Sequence, residues 1–290
     1  MTEERKQEIL EIIRNTNRRP AQTGKPLYPE EIMAYPNLCE EMESISRTVD
    51  GFSYRMDILR AKNRGENCPL FINIHGGGFI GPHRENDTYF SAYMADQIHG
   101  ITVDLDYTLS DAAPYPVALH QCMDALDYVA EHANTWGASA KDISVGGYSA
   151  GGALTAAMGI CCAERGGFVP KLQILCYPPL EYRIPDQYKI DAYDRQIGME
   201  RCKAFADLYF DDKKENFEDI HNSPLYAPRE ILAKQPKTLI LSAGLCNFRY
   251  EDEDYAICLA DAGAEVILKR FPEASHGFIP HFMDGWKEAA

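Results

Sequence analysis

Six short β-rich runs, at residues 70–74, 101–105, 143–145, 172–176, 238–241 and 265–268, set the frame of this chain. Helical stretches at 87–98, 116–132, 150–163 and 251–262 separate most of them. Strand alternating with helix means right-handed crossovers and a mainly parallel sheet. Two more β-rich runs, 44–49 and 52–59, flank Asp50-Gly51, a two-residue hairpin signal. The expectation is an α/β fold with an eight-stranded, mostly parallel sheet flanked by helices, its leading hairpin antiparallel.

Two stretches do not fit the alternation. Residues 2–17 read as a helix with Ile9, Ile12 and Ile13 on one face and Leu10 widening the stripe. Pro20, Gly24, Pro26 and Pro29 then break the chain. Residues 1–41 are therefore expected to form an N-terminal cap segment, and 42–290 the catalytic domain. Within the latter, 178–236 is too long for a simple crossover. It is rich in Pro, Tyr and acidic residues, holds one good helix near 199–209, and reads as a second cap insertion. Tyr182, Tyr188 and Tyr193, with Tyr177 just before the insertion, would shape a pocket or fill the cap's own core.

The totals narrow the class. A formal charge of −15 argues against nucleic acid or an anionic membrane surface as partner. No apolar run approaches the length of a membrane span, and the first residues do not resemble a secretory signal. The nine cysteines are odd in number and lack a framework spacing, so a reducing cytoplasm with unpaired thiols is expected. No zinc-binding spacing is present, and neither a metal nor a cofactor is expected. A homo-oligomer is left open.

In open α/β sheets ligands bind beyond the carboxyl ends of the strands, so the chemistry is sought there. With the eight runs counted in chain order, after the third (70–74) comes His75-Gly76-Gly77-Gly78, whose glycines let backbone N–H groups turn toward a ligand. After the fifth comes Gly147-Tyr148-Ser149-Ala150-Gly151-Gly152, leading from a strand into a run of helix formers. The pattern G-x-S-x-G suits a sharp strand-to-helix turn that exposes a serine hydroxyl. After the eighth run, His276 sits in a loop from which a general base could reach that serine. Each signal alone has a bland reading: a flexible glycine loop, an incidental serine, a solvated histidine. Their order, each just past a strand, is hard to obtain by accident.

These motifs resemble those of α/β-hydrolase-fold esterases of the hormone-sensitive lipase type, in particular bacterial acetyl-esterase-like members. Further pieces are similar to that family: Gly81-Pro82-His83-Arg84, Asp106-Tyr107-Thr108-Leu109, Tyr177-Pro178-Pro179-Leu180-Glu181 and Ser223-Pro224-Leu225. The resemblance runs from about 52 to 282. It implies Ser149 as nucleophile, His276 as general acid/base, and an oxyanion hole from the N–H groups of Gly77, Gly78 and Ala150. The implied reaction is hydrolysis of small-molecule, short-chain acyl esters through an acyl-serine, without a cofactor.

The pattern breaks at the third member of the triad. The family's Asp after the seventh strand falls on Cys246, with Asn247 beside it. Asn247 as an orienting amide, Glu181 from beyond the sixth strand, and Glu251 or Asp252 from the next helix are the candidate replacements, and outright loss of the acid is the fourth option. A binding protein on an esterase scaffold with an impaired triad is accordingly a competing expectation. A peptidase of the same fold is a weaker one.

Overall fold

The computed structural model of the chain describes residues 1–16, 27–184 and 197–290. Its centre is one eight-stranded sheet in the order β1-β2-β4-β3-β5-β6-β7-β8. The strands are β1 (Glu43–Val49), β2 (Phe52–Arg60), β3 (Cys68–Ile74), β4 (Ile101–Asp106), β5 (Ala138–Tyr148), β6 (Leu172–Cys176), β7 (Lys237–Ala243) and β8 (Val266–Phe271). β2 runs antiparallel to both neighbours, and every other pairing is parallel. The expected hairpin closes through Asp50 and Gly51, both at positive φ, as its two-residue turn requires.

The helices of ten or more residues are α1 (Glu3–Asn15), α2 (Glu85–Gln97), α3 (Val117–His132), α4 (Ala150–Arg165), α5 (Met199–Tyr209) and α6 (Arg249–Ala262). Both faces of the sheet are covered, and β3 shows how its sequence manages that. Successive side chains of a strand point to opposite faces. Leu70, Ile72 and Ile74 enter one apolar cluster with α3 and α4, while Phe71 enters another with α2 and Trp286. A strand buried on both sides needs a continuous apolar run rather than alternation, which is why these segments were conspicuous in the sequence.

The observed helices start or stop within a few residues of the sequence expectation, and α5 matches it at both ends. α1 begins after Thr2, whose hydroxyl accepts a hydrogen bond from the Arg5 N–H at 3.2 Å, a standard helix-start device. It stops at Asn15. β8 runs on to Phe271, beyond the expected end at 268, through residues that are largely solvent-exposed, Lys269 and Arg270 among them. A charged edge strand lacks the apolar signal that made the others readable.

α1 packs on α5 through Ile9, Ile13, Ala204 and Leu208. Arg5 bonds the Asp207 carboxylate at 3.0 Å, and Arg201 donates to the Ile13 carbonyl. Helices from the two segments outside the strand–helix alternation thus pack on each other. Pro20, Gly24, Pro26, Tyr188 and Tyr193 lie outside the described residues. No helix among the described residues is long and apolar enough to cross a membrane.

Candidate active site

β5 ends at Tyr148 and α4 begins at Ala150, so Ser149 alone makes the turn between them. It is held at φ +56°, ψ −122°, a conformation that costs an L-residue on the order of 1–3 kcal/mol and persists only where surroundings enforce it. The enforcement is visible at the flanking glycine. A Cβ on Gly151 would lie 2.0 Å from the Ile74 carbonyl oxygen of β3. Only bare backbone fits there. The Ser149 N–H is anchored to the Cys176 carbonyl at 2.9 Å.

The serine hydroxyl points to His276. Its Oγ lies 2.9 Å from Nε2, and on the other side of the ring the Cys246 Sγ lies 3.0 Å from Nδ1. Tyr177 and Phe248 meet the imidazole edge-on, with centroids 5.0 and 5.6 Å away. Burial, followed by the nearby His281, pulls His276 down to about 3. An uncharged ring is the form that can accept a proton. Cys246 is fully buried, and burial above all raises its thiol well above the usual range. The pair is therefore neutral thiol against neutral imidazole.

Opposite the serine, the loop after β3 carries Gly77 and Gly78 at φ +125° and +65°. The turn is pinned by the Gly81 N–H bonding the Gly77 carbonyl at 2.8 Å. Among the described residues, no acceptor takes the N–H of Gly77, Gly78 or Ala150. Beneath this loop runs a buried polar chain. His83 Nε2 meets the Asp104 carboxylate at 2.7 Å, and Asn73 bridges Asp104 and Ser91. Burial opposes a charge on His83, but Asp104 outweighs it and raises the imidazole to about 9. Tyr148 packs into the core and donates to Asp87, which also accepts from the Arg84 N–H at 2.8 Å. The whole arrangement opens into a cavity of about 1000 Å³.

Comparison with known proteins agrees with this geometry. Residues 71–280 match a family model described as alpha/beta hydrolase fold. The chain belongs to the α/β-hydrolase-fold family. Among the relatives of this α/β hydrolase is the esterase LipI of Mycobacterium tuberculosis, 30% identical over 73% of the chain and 66% of that protein. The carboxylic ester hydrolase LipN of the same organism is 31% identical over 78% of the chain and 61% of its own length. The chain thus spans under two thirds of either relative. A thermostable esterase from Pseudomonas putida superposes with a TM-score of 0.76 at 26% identity, covering 99% of this chain and 93% of that one.

The structure corrects the candidates for the third position. Both ring nitrogens of His276 are taken, by Ser149 and Cys246. The Glu251 carboxylate turns away, accepting the N–H groups of Leu180 and Glu181 at 2.8 and 3.0 Å. Glu181 accepts from the Ile184 N–H at 2.7 Å. The Asn247 amide donates to the Ile197 carbonyl at 2.9 Å. Asp252 is fully buried and neutral-leaning, because burial raises its pKa well above the usual carboxylate value. Glu251, Glu181 and Asn247 thus tie local backbone. Cys246 stands in the register position itself; sequence reasoning passed over it because a thiol is not a carboxylate. The pairing of His83 with Asp104 had no local signal, since its members come from a loop and from β4.

Proposed function

We propose that this α/β hydrolase is a serine carboxylic ester hydrolase acting on small esters with short acyl chains. The single observation that carries the reading is Ser149 Oγ at 2.9 Å from His276 Nε2, at the apex of an elbow that faces the cavity. In the reaction, Ser149 Oγ attacks the acyl carbon as its proton passes to Nε2. The N–H groups of Gly77, Gly78 and Ala150 receive the oxyanion. His276 then returns the proton to the departing alkoxide, leaving an acyl-serine. Water, losing its proton to the same nitrogen, releases the acid and restores Ser149. Cys246 takes the third place, as a neutral partner to Nδ1.

Residues 1–41 and 178–236 serve in this proposal as two cap pieces on the catalytic domain of 42–290. The packing of α1 on α5 supports that division. Short acyl groups fit because the aromatic rings of Phe205, Tyr177 and Phe248 crowd the glycine loop and the histidine. The absence of a disulfide among the nine cysteines is in keeping with a cytoplasmic setting.

The test is direct. Wild type should turn over p-nitrophenyl acetate and be labelled one-to-one by a fluorophosphonate at Ser149, and Ser149→Ala should lose both. Undiminished hydrolysis in that variant would sink the proposal. The uncharged Cys246 favours one rival, a binding protein on the same scaffold. That reading expects ligand affinity without turnover, so a burst followed by steady hydrolysis decides against it.

A further inference from the structure

The chain carries an excess of fifteen negative charges, yet among the described residues the wall of its cavity includes Arg14, Arg84 and Arg201. Arg14 is exposed, whereas Arg84 and Arg201 are half-buried. Among the described residues the carboxylates of that wall are Asp87 and the exposed Asp111. Burial raises the Asp87 carboxyl, and its oxygens are already engaged by the Tyr148 hydroxyl and the Arg84 backbone N–H. It is a poor counter-ion for a guanidinium.

The two half-buried arginines are held differently. Arg201 is built in: it donates to the Ile13 carbonyl and to the Thr16 hydroxyl, and its guanidinium lies 4.9 Å over the Phe205 ring. That same ring covers Gly78 of the loop opposite Ser149. Arg84 stands at the start of α2, at the end of the loop that opens with Gly77 and Gly78. Among the described residues no carboxylate pairs with the side chain of either Arg84 or Arg201. Burial and the positive field of Arg84 together lower the Arg201 pKa. Arg84 likewise depresses His281, after burial. Two half-buried arginines thus line one cavity. An anion placed against them would gain charge-assisted hydrogen bonds.

We propose that the cavity takes an ester whose acyl or alcohol part carries an anionic group, a carboxylate or a phosphate, bound between Arg84 and Arg201. This rests on the ester-hydrolase reading of the same site and narrows it to charged small molecules. The uncharged reacting end lies at Ser149, and the anion is gripped on the cap side of the cavity.

Two pairs of esters of matched size test it. p-Nitrophenyl hemisuccinate against p-nitrophenyl butyrate places the charge in the acyl part. 4-Acetoxybenzoate against 4-acetoxybenzamide places it in the alcohol. The expected result is a preference in kcat/KM for the anionic member of one pair by roughly tenfold to a hundredfold, as befits charge-assisted hydrogen bonds. Arg84→Gln should abolish that ratio, and Arg84→Lys should keep part of it. Succinate and inorganic phosphate as competitive inhibitors then tell carboxylate from phosphate. Neutral esters preferred in both pairs, or a ratio unmoved in Arg84→Gln, would overturn the inference and leave the ester-hydrolase reading standing. The converse is read from binding. In Ser149→Ala, calorimetry should find monomethyl succinate tighter than dimethyl succinate, and the difference should vanish when Arg84→Gln is added. That pattern without any turnover in wild type would keep the anion site and discard the ester hydrolase. Equal binding of the two succinates would discard the anion site.

Discussion

Cys246 presents a neutral sulfur to His276 where a carboxylate would only accept a hydrogen bond, and the difference is one of proton placement. For Ser149 to donate to Nε2, the proton of the ring must sit on Nδ1 and point at Sγ. A carboxylate enforces that tautomer. A neutral thiol is a weak donor and a weak acceptor, so the opposite arrangement competes: S–H toward Nδ1, and Nε2–H toward the serine. The second arrangement is inert. Sγ also accepts from the Phe248 N–H at 3.4 Å, which leaves it a poorer partner still. Cys246→Asp should therefore raise kcat for p-nitrophenyl acetate, by roughly 10- to 1000-fold, since the wrong tautomer in a serine protease costs about 10⁴. The pH profile should move with it. His276 must be neutral to act as base, and activity is lost as pH falls through its pKa. Burial and His281 hold that pKa near 3, so the wild-type kcat/KM should lack an acid limb between about pH 5 and 8. A carboxylate beside the ring stabilises the imidazolium and raises the pKa. Profiles of the two proteins from pH 4 to 8 check this: an acid limb common to both, or no gain in kcat, counts against the role given to Cys246.

At the scale of elements, the three loops past β3, β5 and β8 were legible because each carries residues that backbone geometry demands. Glycine stands where the elbow touches β3 and where the loop turns through positive φ. Aliphatic runs stand where strands are buried on both faces. The parts that were not legible are held by contacts between elements. His83 and Asp104 illustrate the case, and they carry a prediction about stability. His83 is raised to about 9 from an ordinary 6.5, so its contribution is fully present below 6.5 and is lost as pH rises through 9. Asp104 is lowered, by His83 and Asn73 against the pull of burial, so its contribution is lost at the acid end instead. The shift on His83 corresponds to stabilisation on the order of 3 kcal/mol. Thermal unfolding followed from pH 6 to 10 should show a falling midpoint. In His83→Gln the midpoint should start lower and fall less over that interval. Parallel slopes would mean that the pair does not titrate as described.

Over the whole molecule, the cavity is completed by segments far apart in the chain, which is why its wall escaped sequence reasoning. The helical periodicity of α1 exposed an apolar stripe without naming its partner, Arg84 was legible only as part of a family-like segment, and Arg201 gave no motif at all. The stripe's partner is α5, and Ile9, fully buried between them, is the residue to remove. Ile9→Ala should weaken the docking of α1 by about 2–5 kcal/mol. Since α1 and α5 both line the cavity while Ser149 and His276 follow β5 and β8, KM should rise more than kcat falls, and amide exchange should quicken in α1 ahead of the strands. A loss confined to kcat would contradict that separation. The same contact has a consequence in time. Arg5 and Asp207 are 202 positions apart, and at roughly 5–20 residues per second a ribosome takes on the order of 10–40 s to span them. For that interval the nascent α1 carries its isoleucines without a mate, while the sheet strands through β6 are already emerging. Chaperone occupancy of that early helix, and its release once α5 has been translated, would time the closing of this wall after β6 and ahead of β7 and β8.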